Sequence, residues 1–196
     1  GALSLTGEAA APEFNSNFIS VDVRGSYAYV VDGNGTFRVY DLTDPSGPVA
    51  MGTVKVPGML DVKVSGNYAY LACGTKGLRV VDISDPNAPV LVGADFLELP
   101  GVAQNLLVRD GFLLVAAGEA GIHMLSMEPN GQLIPVMSFT FGGSTLRLTY
   151  DSDGFFYAAN ENGGMAMFMF EQYQMYLPKI IQIVPGKVYF PVVRKR

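Results

Sequence analysis

The sequence predicts an all-β fold built by repeating one unit, and three observations predict it. Tyr27-Ala28-Tyr29-Val30-Val31 returns as Tyr68-Ala69-Tyr70-Leu71-Ala72, and the stretch from Phe37 to Pro45 returns from Leu78 to Pro86, both 41 positions later. Short runs of β-branched and aromatic residues alternate with clusters of Gly, Asn, Asp and Pro, the composition of strands and turns. No stretch carries a sustained helical period with caps, so helix is expected to be close to nil. A fixed period of roughly 40–45 residues with several strands per unit points to a propeller-type array of four-stranded antiparallel blades.

The second unit shows the elements in order. Leu60 to Val64 is strand a, ended by the Ser65-Gly66-Asn67 turn. Tyr68 to Cys73 is strand b, ended by Gly74-Thr75-Lys76-Gly77. Leu78 to Asp82 is strand c, ended by Ser84-Asp85-Pro86, and Pro89 to Gly93 is strand d. Proline cannot donate to a ladder and presets φ, so each Asp-Pro pair punctuates a turn.

The period continues in weaker form. Gly118 falls 44 positions after Gly74, placing Phe112 to Ala117 on Tyr68 to Cys73. A further step of 43 places Gly154 to Ala159 on Gly111 to Ala116. Four units follow, at approximately 17–57, 58–101, 102–143 and 144–186, in one domain spanning 1–196. Residues 2–7 resemble a strand d without its own unit, and 187–193 fall where strand a of a fifth unit belongs. An open radial array leaves bare strand edges. The expected outcomes are a small ring closed by its own ends, a ring completed by a second copy, or a piece of a longer propeller.

Composition bounds the function classes. A hydrophobic content of 49% makes the chain globular, while a net charge of −5 argues against a nucleic-acid partner. The basic end Arg194-Lys195-Arg196 is too short to reverse that. One cysteine, Cys73, rules out a disulfide framework within the chain and reads as a small buried hydrophobe. No apolar run reaches the ~18 residues of a membrane-spanning helix. Gly1 reads as a scar of tag removal, so a native leader is expected to have been removed ahead of it.

The motif Tyr-Ala-Tyr-[Val/Leu]-x-x-Gly, followed by Leu-Arg-Val-Val-Asp-Ile-Ser-Asp-Pro-x-x-Pro, resembles the LVIVD repeat, a β-propeller unit of bacterial and archaeal surface and secreted proteins. The copy from Asp61 to Gly93 is a close match, and the first differs by Phe37 and Tyr40. The third has lost the Asp-Ile-Ser-Asp-Pro signature, reading Leu125-Ser126-Met127-Glu128-Pro129, and the fourth ends in Met167-Phe168-Met169-Phe170-Glu171. The resemblance implies an extracytoplasmic propeller at the cell surface, in the periplasm or secreted, with a non-enzymatic binding or scaffolding role. It brings no shared catalytic residues.

In such a fold the a strands surround the axis, and the d–a and b–c loops share the usual ligand face. Ser20, Asp61 and Asn105 start equivalent a strands, with Arg147 one register step from the matching fourth position. This ring is the candidate ligand site at the channel mouth. The competing reading is that these groups bond neighbouring backbone. Asn34, Lys76, Glu119, Glu161 and Asn162 mark the b–c loops of the same face. No cofactor is expected. A divalent cation such as calcium in the channel lacks a motif, since hard cations require several converging oxygen ligands. A protein or carbohydrate ligand suits the loops, and unpaired edge strands allow a homo-oligomer. The alternative function is a metal-assisted hydrolase of the lactonase type with its site at the channel mouth.

Other constellations read as structure. Asp41, Asp44, Asp82 and Asp85 are placed to cap their own turns as Asx-turns. His123 is the only histidine, so a multi-histidine metal site cannot form within one chain and a Ser-His-Asp triad would need it; it reads as structural or exposed. Neither a Gly-x-Ser-x-Gly elbow nor a phosphate-cradling Gly-x-x-x-x-Gly-Lys-[Ser/Thr] occurs. Met165, Met167 and Met169 alternate along one face of a strand. Buried packing between blades is the expected role, with an outer stripe for a partner second.

Overall fold

The computed structural model describes residues 4–8, 17–140, 142–161, 164–169, 179–184 and 187–188. Every regular element among them is a strand, in four antiparallel sheets. The first blade is β1 (Phe18–Arg24), β2 (Tyr27–Asp32), β3 (Thr36–Asp41) and β4 (Val49–Lys55), and the second is β5 (Asp61–Ser65), β6 (Tyr68–Ala72), β7 (Leu78–Asp82) and β8 (Val90–Leu91). The third is β9 (Asn105–Arg109), β10 (Phe112–Ala116), β11 (Ile122–Met127) and β12 (Leu133–Phe139). The fourth is β13 (Ser144–Tyr150), β14 (Phe155–Glu161), β15 (Gly164–Met169), β16 (Lys179–Val184) and β17 (Lys187–Val188). Strands pair in chain order within each blade, and the innermost strands stand side by side as β1, β5, β9 and β13.

Glycine sets the a–b hairpins. Gly66, at φ 59°, opens the two-residue turn between β5 and β6, the backbone of a II′ hairpin. In the third blade both turn residues are left-handed, Asp110 at 51° and Gly111 at 81°, which is the I′ form. Both forms twist with the strands they join.

The blades stack through alternating side chains. Tyr29, Val31, Phe37 and Val39 of the first blade meet Val62, Ala69, Leu71 and Val81 of the second. The opposite face of the second blade, Tyr70, Ala72, Leu78 and Val80, meets Leu106, Leu113, Val115 and Leu125 of the third. Leu114, Ala116 and Ile122 then meet Leu148, Phe156, Ala158 and Phe168 of the fourth. Each large apolar side chain buried this way stabilises the stack by roughly 1.5–3 kcal/mol. Cys73 lies in the first interface with its thiol near the Leu71 carbonyl, the small buried role expected of it.

Four expectations are corrected. Strand d of the second unit is Val90–Leu91: Val92 still donates to the Val80 carbonyl in the same register, but the chain then turns at Gly93, φ 71°, and returns to the ladder only at Leu97, opposite Leu78. Residues 4–8 form no strand, yet Gly7 lies so close to the Asp44-Pro45-Ser46 turn that a Cβ would stand 2.0 Å from the Pro45 oxygen. Lys187–Val188 pairs with β16 as a fifth strand of the fourth blade, the pairing nearest in sequence, rather than starting another unit; 189–193 lie outside the described residues. Arg147 is not one step away from the fourth ring position but occupies it. A bulge between Thr145 and Arg147 adds the missing residue, so Arg147 faces Ala159 as Asn105 faces Ala116 and Asp61 faces Ala72.

The methionine stripe differs as well. Ala166 and Phe168 face the third blade, whereas Met165 is 41% exposed and Met167 and Met169 are half-buried on the opposite face. The alternation is as the sequence indicates, but the fourth blade has no fifth sheet among the described residues to cover that face. Phe170 lies outside the described residues.

Candidate functional site

The inner ring is held by one carboxylate. Asp61 is 4% exposed at the start of β5. Its Oδ1 accepts from the Ser20 hydroxyl at 2.6 Å and from its neighbour's amide, Val62 N, at 2.9 Å. Its Oδ2 accepts from Asn105 Nδ2 at 2.6 Å and Leu106 N at 2.8 Å. Asn105 Oδ1 in turn accepts from Leu148 N at 2.8 Å. A side chain at this position therefore reaches forward to the amide of the next inner strand, twice in succession. Such bonds satisfy backbone groups that packing removes from water. Arg147, the fourth member, is exposed. The structure thus brings Ser20, Asp61 and Asn105 together and leaves Arg147 at the end of the row.

Three contacts of this kind were not anticipated. Asp22 Oδ2 accepts from Val64 N of the next blade at 2.7 Å. At the other end of the inner strands, Arg24 donates to the Gly66 carbonyl, and Arg109 Nη1 donates to the Asp151 carbonyl at 3.1 Å, each 42 residues ahead. Arg109 also lies 4.5 Å from the centre of the Tyr150 ring, a cation–π contact. The signal was available, since Arg24 and Arg109 both close an a strand, but the close-matching second unit carries Ser65 there and hides it.

The b–c loops form a separate, exposed set. Asp32 Oδ1 accepts from Asn34 N and Thr36 N, both at 2.9 Å, and fixes the first loop as an Asx-turn. The second and third are closed by Gly77 N to Gly74 O at 3.2 Å and Gly121 N to Gly118 O at 3.0 Å. They are also bridged to the next blade, Gly74 with Ala103 and Gly118 with Thr145. On these loops Asn34, Lys76 and Glu119 are exposed, as is Glu161 at the end of β14. Asn162 lies outside the described residues. Lys76 and Arg79 both approach the Phe96 ring, at 5.5 and 5.4 Å from its centre.

The remaining candidates are structural. His123 is 8% exposed with Nε2 2.9 Å from the Pro100 carbonyl, which can only accept, so Nε2 carries the proton. Asp41, Asp44 and Asp82 each cap a turn through the amide two residues on, at 2.8, 2.9 and 2.8 Å. The hydroxyls of Thr43, Ser46 and Ser84 bond the same carboxylates and hold them below their ordinary pKa, with help from those amides. Asp85 caps likewise through Asn87 N at 2.9 Å. Among the described residues no three His, Cys, Asp or Glu side chains converge as a metal-binding group, and no helix is long and apolar enough to cross a membrane.

Comparison with known proteins agrees with this architecture. The family described as LVIVD repeat matches residues 18–56 and 59–94. No curated protein matches the chain. The computationally designed protein Ika4 is similar in structure, with a TM-score of 0.65 at 10% identity over 87% of this chain and 100% of its own. A protein from Lactobacillus plantarum gives 0.69 at 16% identity, over 95% of this chain and 57% of its own. BamB from Moraxella catarrhalis gives 0.58 at 22% identity, over 77% of this chain and 46% of its own. The chain therefore spans about half the length of these two natural relatives in fold.

Proposed function

We propose that this chain, whose residues 18–56 and 59–94 match the LVIVD repeat within an all-β propeller-type fold, is a non-enzymatic binding or scaffolding module that works outside the cytoplasm. One observation carries the reading: the groups a reaction would use are engaged in building the fold, while polar and charged groups that differ between blades stand exposed at the b–c ends of the blades. Both Asp61 oxygens accept two protein hydrogen bonds each, which leaves a hydrolase reading without its central carboxylate. Asn34, Lys76 and Glu119 on the b–c loops, with Glu161 at the end of β14, differ in charge and polarity from blade to blade, as suits a recognition face. A protein or carbohydrate is the ligand class we assign to it.

Fluorescently labelled protein applied to glycan and peptide arrays tests this. Binding that is lost in Lys76→Ala or Glu119→Ala, with the unfolding midpoint unchanged, is the expected result. Binding that survives all four loop substitutions but disappears in Asn105→Ala at unchanged stability would move the site to the inner ring. Fractionation of the native host, with the protein found outside the cytoplasm, tests the compartment.

A further inference from the structure

We propose that the b–c face takes its partner at the mouth of the first two blades, and that the partner is a protein segment carrying a large apolar side chain next to a carboxylate. The inference rests on the recognition face described above and names what that face takes. Its starting point is a position one residue outside the inner ring. Ile19, Leu60 and Gln104 each precede a ring residue, Ser20, Asp61 and Asn105, at the repeat spacings of 41 and 44. Each lays its side chain over the b–c loop of its own blade. A Cβ at Gly33 would stand 3.8 Å from Ile19 Cδ1, one at Gly74 3.7 Å from Leu60 Cδ1, and one at Gly118 3.4 Å from Gln104 Nε2. The first two side chains are apolar, yet they are 45% and 38% exposed. Ser20 donates to Asp61 at 2.6 Å, so Ile19 and Leu60 flank one junction, the one between β1 and β5.

The exposed charge around that junction is positive. Lys76 is exposed, and its Cδ lies 3.9 Å from where a Cβ at Gly58 would stand, on the loop that leads into Leu60. Lys55 is exposed at the end of β4, where its ammonium donates to the Thr36 hydroxyl at 2.6 Å. Asp32, the carboxylate of the first b–c loop, is buried and paired with Arg38 at 3.2 Å. The exposed carboxylates begin further round, with Asp95 and Glu98 on the stretch that leads to the third blade, then Glu119 and Glu161. On that side the inner position holds the amide of Gln104, with Arg147 exposed at the end of the ring. The apolar pair and two lysines thus share one half of the face. An apolar centre with a charged rim is the anatomy of a protein interface. Complementary charge then selects and orients the partner. Two aliphatic side chains offer an apolar residue of a protein a dry contact, and give the hydroxyls of a glycan nothing to bond. A carboxylate beside that residue meets Lys76 and Lys55.

Short fluorescent peptides, measured by anisotropy against the whole chain, test this. One set places Leu or Phe beside Asp or Glu, a second replaces the apolar residue by Ser, and a third replaces the acid by Lys. The first set is expected to bind, roughly tenfold or more tightly than either other set, and to weaken as salt rises. Leu60→Asp should remove that binding, and Lys76→Glu should turn the preference toward the Lys set. Lys76→Glu alters an exposed side chain, so it keeps the test readable even if Leu60→Asp lowers the unfolding midpoint. Equal binding of the three sets, no binding of any at about 100 µM, or a preference unmoved by Lys76→Glu would overturn the proposal. Glycan binding that depends on Glu119 and not on Leu60 would also overturn it, while leaving the recognition face itself in place.

Discussion

Asn105 donates its amide hydrogen to Asp61 at 2.6 Å, although the two are 44 residues apart in sequence and sit in different blades. This bond links repeat to repeat at the point where the sequence places a ligand site. Its neighbours explain its importance. Leu106 N and Asn105 Nδ2 both rely on one Asp61 oxygen, and both lose their acceptor if it goes. A buried donor left without a partner costs about 1–3 kcal/mol. Asp61→Ala is therefore expected to lower stability by roughly 3 kcal/mol or more, and Asp61→Asn, which keeps one acceptor oxygen, by less. Urea unfolding monitored by circular dichroism checks the order.

Gly52 tests how closely the outer strands pack. A Cβ there would lie 2.5 Å from the Asn87 carbonyl oxygen and 2.2 Å from Pro89 Cδ, and Gly52 N already donates to the Pro86 carbonyl at 2.9 Å. Gly52→Ala should cost about 1–3 kcal/mol through overpacking. Gly47→Ala, with open space at its Cβ, should be close to neutral. Equal midpoints for the two variants would contradict the packing described.

Cys73 predicts the alkaline limit. Burial pushes its thiol from the ordinary 9.0 up to about 12, against smaller opposing effects of Arg79 and Lys76. The folded state binds the thiol proton more tightly than the unfolded state. Its contribution is complete below pH 9 and is lost as pH rises toward about 12, with a slope of at most about 1.4 kcal/mol per pH unit. Tyr29, Tyr40 and Tyr70 are raised by burial too and act in the same direction at higher pH. In Cys73→Ala the fall between pH 9 and 10 should flatten, and a thiol reagent should label the native wild type only as fast as it unfolds.

The turn aspartates predict the acid limit. Asp41, Asp44 and Asp82 are lowered by hydroxyl and amide hydrogen bonds, and Asp151 chiefly by the Tyr157 hydroxyl at 2.6 Å. Their contribution is present above the ordinary carboxylate value of 3.8 and lost as pH falls through the lowered folded values. Asp82→Asn should be less stable than wild type at pH 7 and should show a shallower loss from pH 4 to pH 2. Parallel curves for the two proteins would contradict the assignment.

The strands and their order were legible because turn chemistry recurs: Gly66 ends one a strand, and Asp44-Pro45 and Asp85-Pro86 end two c strands at one spacing. The register of Arg147 was not, because a bulge adds a residue that leaves no mark in composition. Three of the four ring residues were visible as equivalent positions, and the reading that they bond neighbouring backbone is the one the contacts of Asp61 and Asn105 follow. The exposure of Met165 escaped because periodicity tells which residues share a face but not whether another blade covers it.

The account depends most on the inner ring joining blade to blade. A double-mutant cycle on Asp61→Ala and Asn105→Ala, read by denaturant unfolding, tests that directly. The prediction is a coupling of about 1–3 kcal/mol, with the double variant little worse than Asp61→Ala alone. Strictly additive effects, with each single substitution leaving stability unchanged and abolishing a bound ligand or ion, would contradict it.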